Sequence, residues 1–269
     1  VFDLHVQMIQ FLKDSTFAVN EVLQAALGIL KKKYFSIAGF CLLLFVTSNA
    51  SGILAVYFKD VNWILSGFMA FTFVVLYFGI QLTLFKYIFH VVDDDKETVP
   101  LHESMPSGKE LSYFFIAMLS LLVMILIAFA LLALIILPVI YIFKSTTYAV
   151  NLFAVLSVIF LIAFMMRVSF YPFFIIDRHE RPFKSIRLSF AITRGNFVKL
   201  LILLVFLTIL HLLSIYFNWR SYPLLSAALN MVNSFLVVPL SSVAIALAYR
   251  QMMKEYKGEE DPRFINNII

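Results

Sequence analysis

Charge is scarce in this sequence. Asp, Glu, Lys and Arg make up 14% of 269 residues, while 62% are hydrophobic, far from the balance of a soluble domain. That scarcity excludes a water-exposed surface over most of the chain and points to lipid as its solvent. Cysteine is nearly absent too. The single one, Cys41, cannot form an intrachain disulfide or a thiolate metal site. With only eight glycines, little material exists for phosphate-cradling loops, and neither such a loop, nor a zinc-protease motif, nor a serine nucleophile elbow occurs. A non-enzymatic protein without cofactor or metal is therefore expected. Residues 1–33 carry interspersed charges and no apolar core followed by a cleavage site, so no secretory leader is expected there.

Long uncharged runs are what the sequence does have: Tyr34 to Phe58, Val61 to Phe85, Leu111 to Phe143, Ser145 to Met166, Leu200 to Trp219 and Ser221 to Tyr249. A bilayer core of roughly 30 Å needs about 20 apolar residues of helix, so each run is long enough to span. The expected fold is an all-α membrane protein with six transmembrane helices, at about 34–58, 61–92, 111–143, 148–176, 197–219 and 221–250, within a domain covering 34–250. Pro138, Pro172 and Pro239 are the expected kinks or breaks, because proline removes a backbone donor and crowds the preceding turn.

Orientation follows from the basic residues. Of 21 Lys and Arg, 18 fall on one side of the six runs, and only Lys59, Lys144 and Arg220 on the other. The positive-inside bias then places both termini, including a tail over 251–269, in the cytoplasm. Trp63 and Trp219 fall beside the sparsely charged outer loops, where indole rings favour the headgroup level. The net charge of +5 is thus read as orientation, with no nucleic-acid partner implied.

Two cytoplasmic segments read as amphipathic helices on the membrane surface. In the first, within 1–33, Asp14 or Ser15 is a cap, and Val19, Val22, Leu23, Ala26 and Leu30 form an apolar stripe opposite Asn20, Gln24, Gly28 and Lys31. Lys31, Lys32 and Lys33 then mark the turn into the first span. The second, about 182–194, starts at Pro182 and places Phe183, Ile186 and Phe190 on one face, with Lys184, Arg187 and Arg194 about a quarter turn away. Gly195 is expected to end it in a left-handed conformation. The joints Lys33-Tyr34-Phe35 and Gly195-Asn196-Phe197 are alike, which hints at a weak internal repeat.

Few polar groups interrupt the spans. Arg167 lies in apolar sequence running from Tyr148 to Ile176; a start near Tyr148 puts it at the interface, where its stem can snorkel, whereas mid-depth burial would mark a polar path. Asn230, Asn233, Ser234 and Ser241 form a polar stripe that either lines a cavity or bonds neighbouring helices, the second being the usual role. Gln81 and His211 carry the same expectation. The loop Asp93-Asp94-Asp95 with Glu97, His102 and Glu103 has cation-binding groups but no recognisable ligand spacing, and reads as a solvated turn. Asp177-Arg178-His179-Glu180 reads as structural ion pairing.

The stretch through Phe174 to Asp177, then Pro182 with Ser185 to Ser189, then Thr193-Arg194-Gly195-Asn196-Phe197, resembles an uncharacterised bacterial six-helix integral membrane family. That family is related to the membrane domain of some glycerophosphodiester phosphodiesterases. The resemblance implies the six-helix architecture and a bacterial cytoplasmic (inner) membrane; no phosphodiesterase catalytic domain is present. The expected function is an accessory or scaffold subunit that contacts anionic lipid and other membrane subunits through Lys31, Lys32, Lys33, Lys184, Arg187 and Arg194. The alternative is a transporter or lipid-handling protein with a polar path near Arg167 and Asn230.

Overall fold

The computed structural model describes residues 18–59, 63–94, 101–143 and 146–254. The expected cap at Asp14 or Ser15, the acidic loop from Asp95 to Glu97 and the tail beyond Lys254 lie outside them. Among the described residues the chain is helical and has no strand. In order the helices are α1 (Val19–Lys59), α2 (Trp63–Asp94), α3 (Leu101–Ser104), α4 (Gly108–Phe143), α5 (Thr146–Val168), α6 (Tyr171–Arg178), α7 (Pro182–Thr193), α8 (Phe197–Trp219) and α9 (Pro223–Val232). A π-helical turn (Asn233–Val237) then leads into α10 (Val238–Lys254).

Six stretches are long and apolar enough to cross a membrane: Val19–Leu54, Ile64–Asp93, His102–Pro138, Thr146–Arg178, Phe197–Trp219 and Pro223–Lys254. This is an all-α, multi-pass membrane protein. Large apolar side chains line the outside of these helices, Phe35, Ile53, Phe68, Leu134, Leu224 and Met231 among them, as expected where hydrocarbon replaces water.

The three prolines act differently. α4 runs through Pro138 without interruption, which the span tolerates near its end. The fourth span breaks at Ser169–Phe170, and Pro172 enters the first turn of α6, where its missing N–H costs nothing. Pro239 comes directly after the π-turn and Val238.

The chain divides into two compact units, one made of Val1–Ser107 with Val198–Ile269 and the other of Gly108–Phe197. In the first, α10 packs against α1 and α2, and the span that it ends, Pro223–Lys254, is the most enclosed of the six. Small residues make this possible: Ala244, Ala246 and Ala248 are fully covered, so backbones approach closely where no hydrophobic drive between helices exists. On α1, Val22, Ala26, Leu30 and Ile37 are buried as well. The apolar stripe expected to rest in lipid is therefore already covered by protein. At Lys33 the helix breaks, with φ −120° and ψ 24°, so the three lysines do mark a change of direction. Arg250 of α10 pairs with Asp93 of α2 and lies 4.3 Å over the Phe89 ring, clamping the two helix ends together.

The centre of the second unit is α6. Phe173, Phe174, Ile175 and Ile176 are all at most 3% exposed, and Tyr171 stacks on Phe114 of α4 at 5.5 Å. This segment reads in the sequence as the last turns of a lipid-facing span; instead it is a core helix, wrapped by α4 and α7. His179 Nδ1 meets the buried Glu110 carboxylate at 2.9 Å, tying the end of α6 to the start of α4.

Candidate functional site

Three features hold the polar groups of the spans: a serine ladder in the second unit, a cavity in the first, and the basic surface of each.

The ladder answers the break at Ser169–Phe170. Interrupting a helix frees backbone groups that lipid cannot satisfy. Ser189 of α7 satisfies two of them: its hydroxyl donates to the Arg167 carbonyl at 2.7 Å and accepts the Phe170 N–H at 3.1 Å. Thr193 donates to the Ser189 carbonyl at 2.8 Å, and Ser185 to the Pro182 carbonyl at 2.7 Å. Ser185, Ser189 and Thr193 recur every fourth residue, so they share one helix face, and all three are fully buried. That face, with Ile186 and Ile192, points into the protein. Phe183 does not; at 70% exposure it lies on the outward face with Arg187 and Arg194. Apolar periodicity alone puts Phe183 on the wrong side, because it weighs the large apolar residues and overlooks the Ser-Ser-Thr repeat.

Arg167 is half-buried. Its guanidinium approaches the Phe190 carbonyl at 3.4 Å and the Phe197 ring at 5.6 Å, so it belongs to the same joint. Gly195 is not left-handed; α7 ends instead with the Asn196 amide donating to the Ile192 carbonyl at 3.3 Å, a side-chain cap that makes the left-handed residue unnecessary.

The polar stripe of the last span separates into parts with different partners. Asn230 accepts a hydrogen bond from Ser214 of α8 at 2.7 Å, and Ser214 also meets Ser226 at 3.1 Å, so these three join α8 to α9. Asn233 opens the π-turn, and its carbonyl accepts the Val238 N–H. A π-turn holds one residue more than an α-turn, so it rotates the succeeding residues about the helix axis. Ser234, inside the turn, lines with Ser241 and Ser242 a cavity among α1, α2 and α10 of about 490 Å³. Ser48 and Asn49 of α1 and Tyr77 and Gln81 of α2 complete its polar lining, with Leu44, Phe45, Leu84 and Ile245 as the main apolar contributors. A smaller hollow of about 150 Å³ beside it is bordered by Cys41, Asn230 and Ser234.

Tyr34 fixes the π-turn from α1. Its hydroxyl donates to the Phe235 carbonyl at 2.9 Å, the acceptor whose α-helical donor would be residue 239. That residue is proline and has no N–H to give.

Compared with protein-family models, curated proteins and solved structures, the chain matches none.

The basic groups lie at the surface. Lys31, Lys32, Lys184, Arg187 and Arg194 are exposed, and Lys33 is half-buried. Lys184 pairs with Glu180 at 3.3 Å, whereas Lys31, Lys32 and Arg187 have no ion-pair partner among the described residues. Each cluster adjoins an exposed phenylalanine, Phe35 at 89% and Phe183 at 70%. Among the described residues no three His, Cys, Asp or Glu side chains converge as metal ligands. Arg167 and Asn230 fall in different compact units, each with partners of its own.

Proposed function

We propose that this protein is a non-enzymatic accessory or scaffold subunit of the bacterial cytoplasmic membrane, seated against anionic lipid with both termini in the cytoplasm. The observation that carries the reading is the pairing of exposed cations with an exposed ring in each unit: Lys31 and Lys32 with Phe35, and Arg187 and Arg194 with Phe183. Rings of this kind sink to the acyl boundary while the cations stay among phosphates. Each Lys or Arg near an anionic surface adds about 1 kcal/mol of attraction. The resemblance of the segment from Phe174 to Phe197 to a bacterial six-helix membrane family supports the choice of membrane, and the absence of a charged intramembrane cluster among the described residues favours assembly over transport. Other membrane subunits are the expected partners, and nucleic acid is not.

Native mass spectrometry of the protein extracted in mild detergent tests this. Phosphatidylglycerol is expected to be retained over phosphatidylcholine, and replacing Lys31, Lys32 and Arg187 together by Gln should lower that retention more than tenfold. A bare monomer carrying neither anionic lipid nor partner would overturn the proposal.

A further inference from the structure

We propose a second lipid site, of opposite chemistry: the cavity among α1, α2 and α10 binds an uncharged lipid whose polar end is a hydroxyl, of the diacylglycerol class, with the Gln81 amide as its recognising group. This goes beyond the anionic-lipid contacts, which involve none of the same residues.

Gln81 is deep in its span, about 18 Å along α2 from Asp93 at 1.5 Å per residue. A primary amide there needs hydrogen-bond partners, because surrounding hydrocarbon offers none. Gln81, Ser48 and Ser234 have no hydrogen bond to any described residue, and among the described residues the Asn49 side chain bonds only the Phe45 carbonyl, as donor at 2.7 Å, which leaves its own carbonyl open to a ligand. Ser241 and Ser242 both donate to the Val238 carbonyl, so their oxygens can still accept. The lining is thus rich in unused amide and hydroxyl groups and sits where a helix-to-helix bond would be the ordinary solution.

Charge narrows the ligand. Among the described residues the lining contains no Asp, Glu, Lys, Arg or His, so neither a phosphate nor an ammonium would find a counter-ion in it, and a phospholipid headgroup at this depth would be buried unpaired. A free hydroxyl flanked by ester carbonyls meets the set instead: it donates to the Gln81 or Asn49 carbonyl while its esters accept from Ser48, Ser234 or the Gln81 amide. The size is suitable, since about 490 Å³ falls within the usual range of ligand pockets. Cys41, Leu44 and Leu84 are buried while Phe45, Ser48, Asn49 and Val238 are exposed. The cavity therefore has a closed apolar floor and an open rim through which acyl chains can leave.

The test is photocrosslinking of the full-length protein in phosphatidylcholine vesicles with a diazirine-bearing diacylglycerol, followed by mapping of the labelled peptides. Label is expected in the α1 segment around Cys41 to Asn49 and the α2 segment around Tyr77 to Phe85. Unlabelled dioleoylglycerol should compete it away at least tenfold, and Gln81→Leu should reduce it about as much. A diazirine phosphatidylglycerol probe should label these segments no more than the rest of the lipid-facing surface. Labelling that excess dioleoylglycerol does not displace from the unsubstituted protein, or equal labelling by the phosphatidylglycerol probe, would overturn the proposal whether or not Gln81→Leu folds. Loss of phosphatidylglycerol retention by the triple Gln variant with diacylglycerol labelling intact would separate the two sites.

Discussion

At the scale of single residues, membrane interiors make one hydroxyl count for more than its size. Ser189 serves two backbone groups at the break between α5 and α6, donating to Arg167 and accepting from Phe170, in a position with no exposure. Removing it strands the Phe170 N–H and leaves the Arg167 carbonyl only the Thr193 hydroxyl, at 3.5 Å. Leaving buried polar groups unmet costs about 1–3 kcal/mol, so Ser189→Ala is expected to lower stability by that order in thermal unfolding in mild detergent. Ser185→Ala is the control, because Ser185 bonds only its own helix at Pro182, and its loss should be a fraction of the other. Equal effects of the two substitutions would show that Ser189 is helix packing and nothing more.

At the scale of elements, the π-turn combines with a proline and a tyrosine from a distant helix. Pro239 denies the Phe235 carbonyl its α-helical donor, and Tyr34 supplies one from α1. Interhelical hydrogen bonds in lipid contribute typically about 0.6 and at most about 1.7 kcal/mol, and Tyr34→Phe is expected to cost within that range. In a Pro239→Ala background, residue 239 regains an N–H, so the same substitution should cost clearly less. A double-substitution cycle measured by unfolding in detergent reads the difference, and an identical cost in both backgrounds would disprove the link. Much of this architecture is legible in the sequence, since span number and the break at Lys33 follow from charge, and Pro172 and Pro239 mark the two interrupted spans. Other features are not. Hydropathy cannot tell Phe173 to Ile176 facing protein from the same residues facing lipid, because both solvents are apolar. Nor can it foresee the π-turn at Asn233–Val237, or that Gln81 meets a cavity rather than another helix. The Ser185, Ser189, Thr193 spacing is in plain sight, and asking where a polar face could go in a helix beside lipid is enough to find it.

At the scale of the whole molecule, the decisive property is which way the six spans sit, and it rests on electrostatics rather than packing. With 18 of 21 basic residues on one side, inverting the protein would carry nearly all of them across the hydrocarbon, at about 2.5–3.5 kcal/mol for each Lys or Arg at mid-depth. Both termini are therefore expected in the cytoplasm. The sequence is well suited to a direct measurement, because it holds one cysteine, Cys41, which is buried. In a Cys41→Ser background, single cysteines at Lys13 or Lys257 should react with a membrane-impermeant maleimide only after the cells are opened, whereas cysteines at Arg220 or Lys144 should react in intact cells. Lys13 and Lys257 reacting on opposite sides would require an odd number of crossings and remove one of the six spans. Both reacting in intact cells would keep six spans but invert them, and the basic clusters beside Phe35 and Phe183 would then face the outer leaflet.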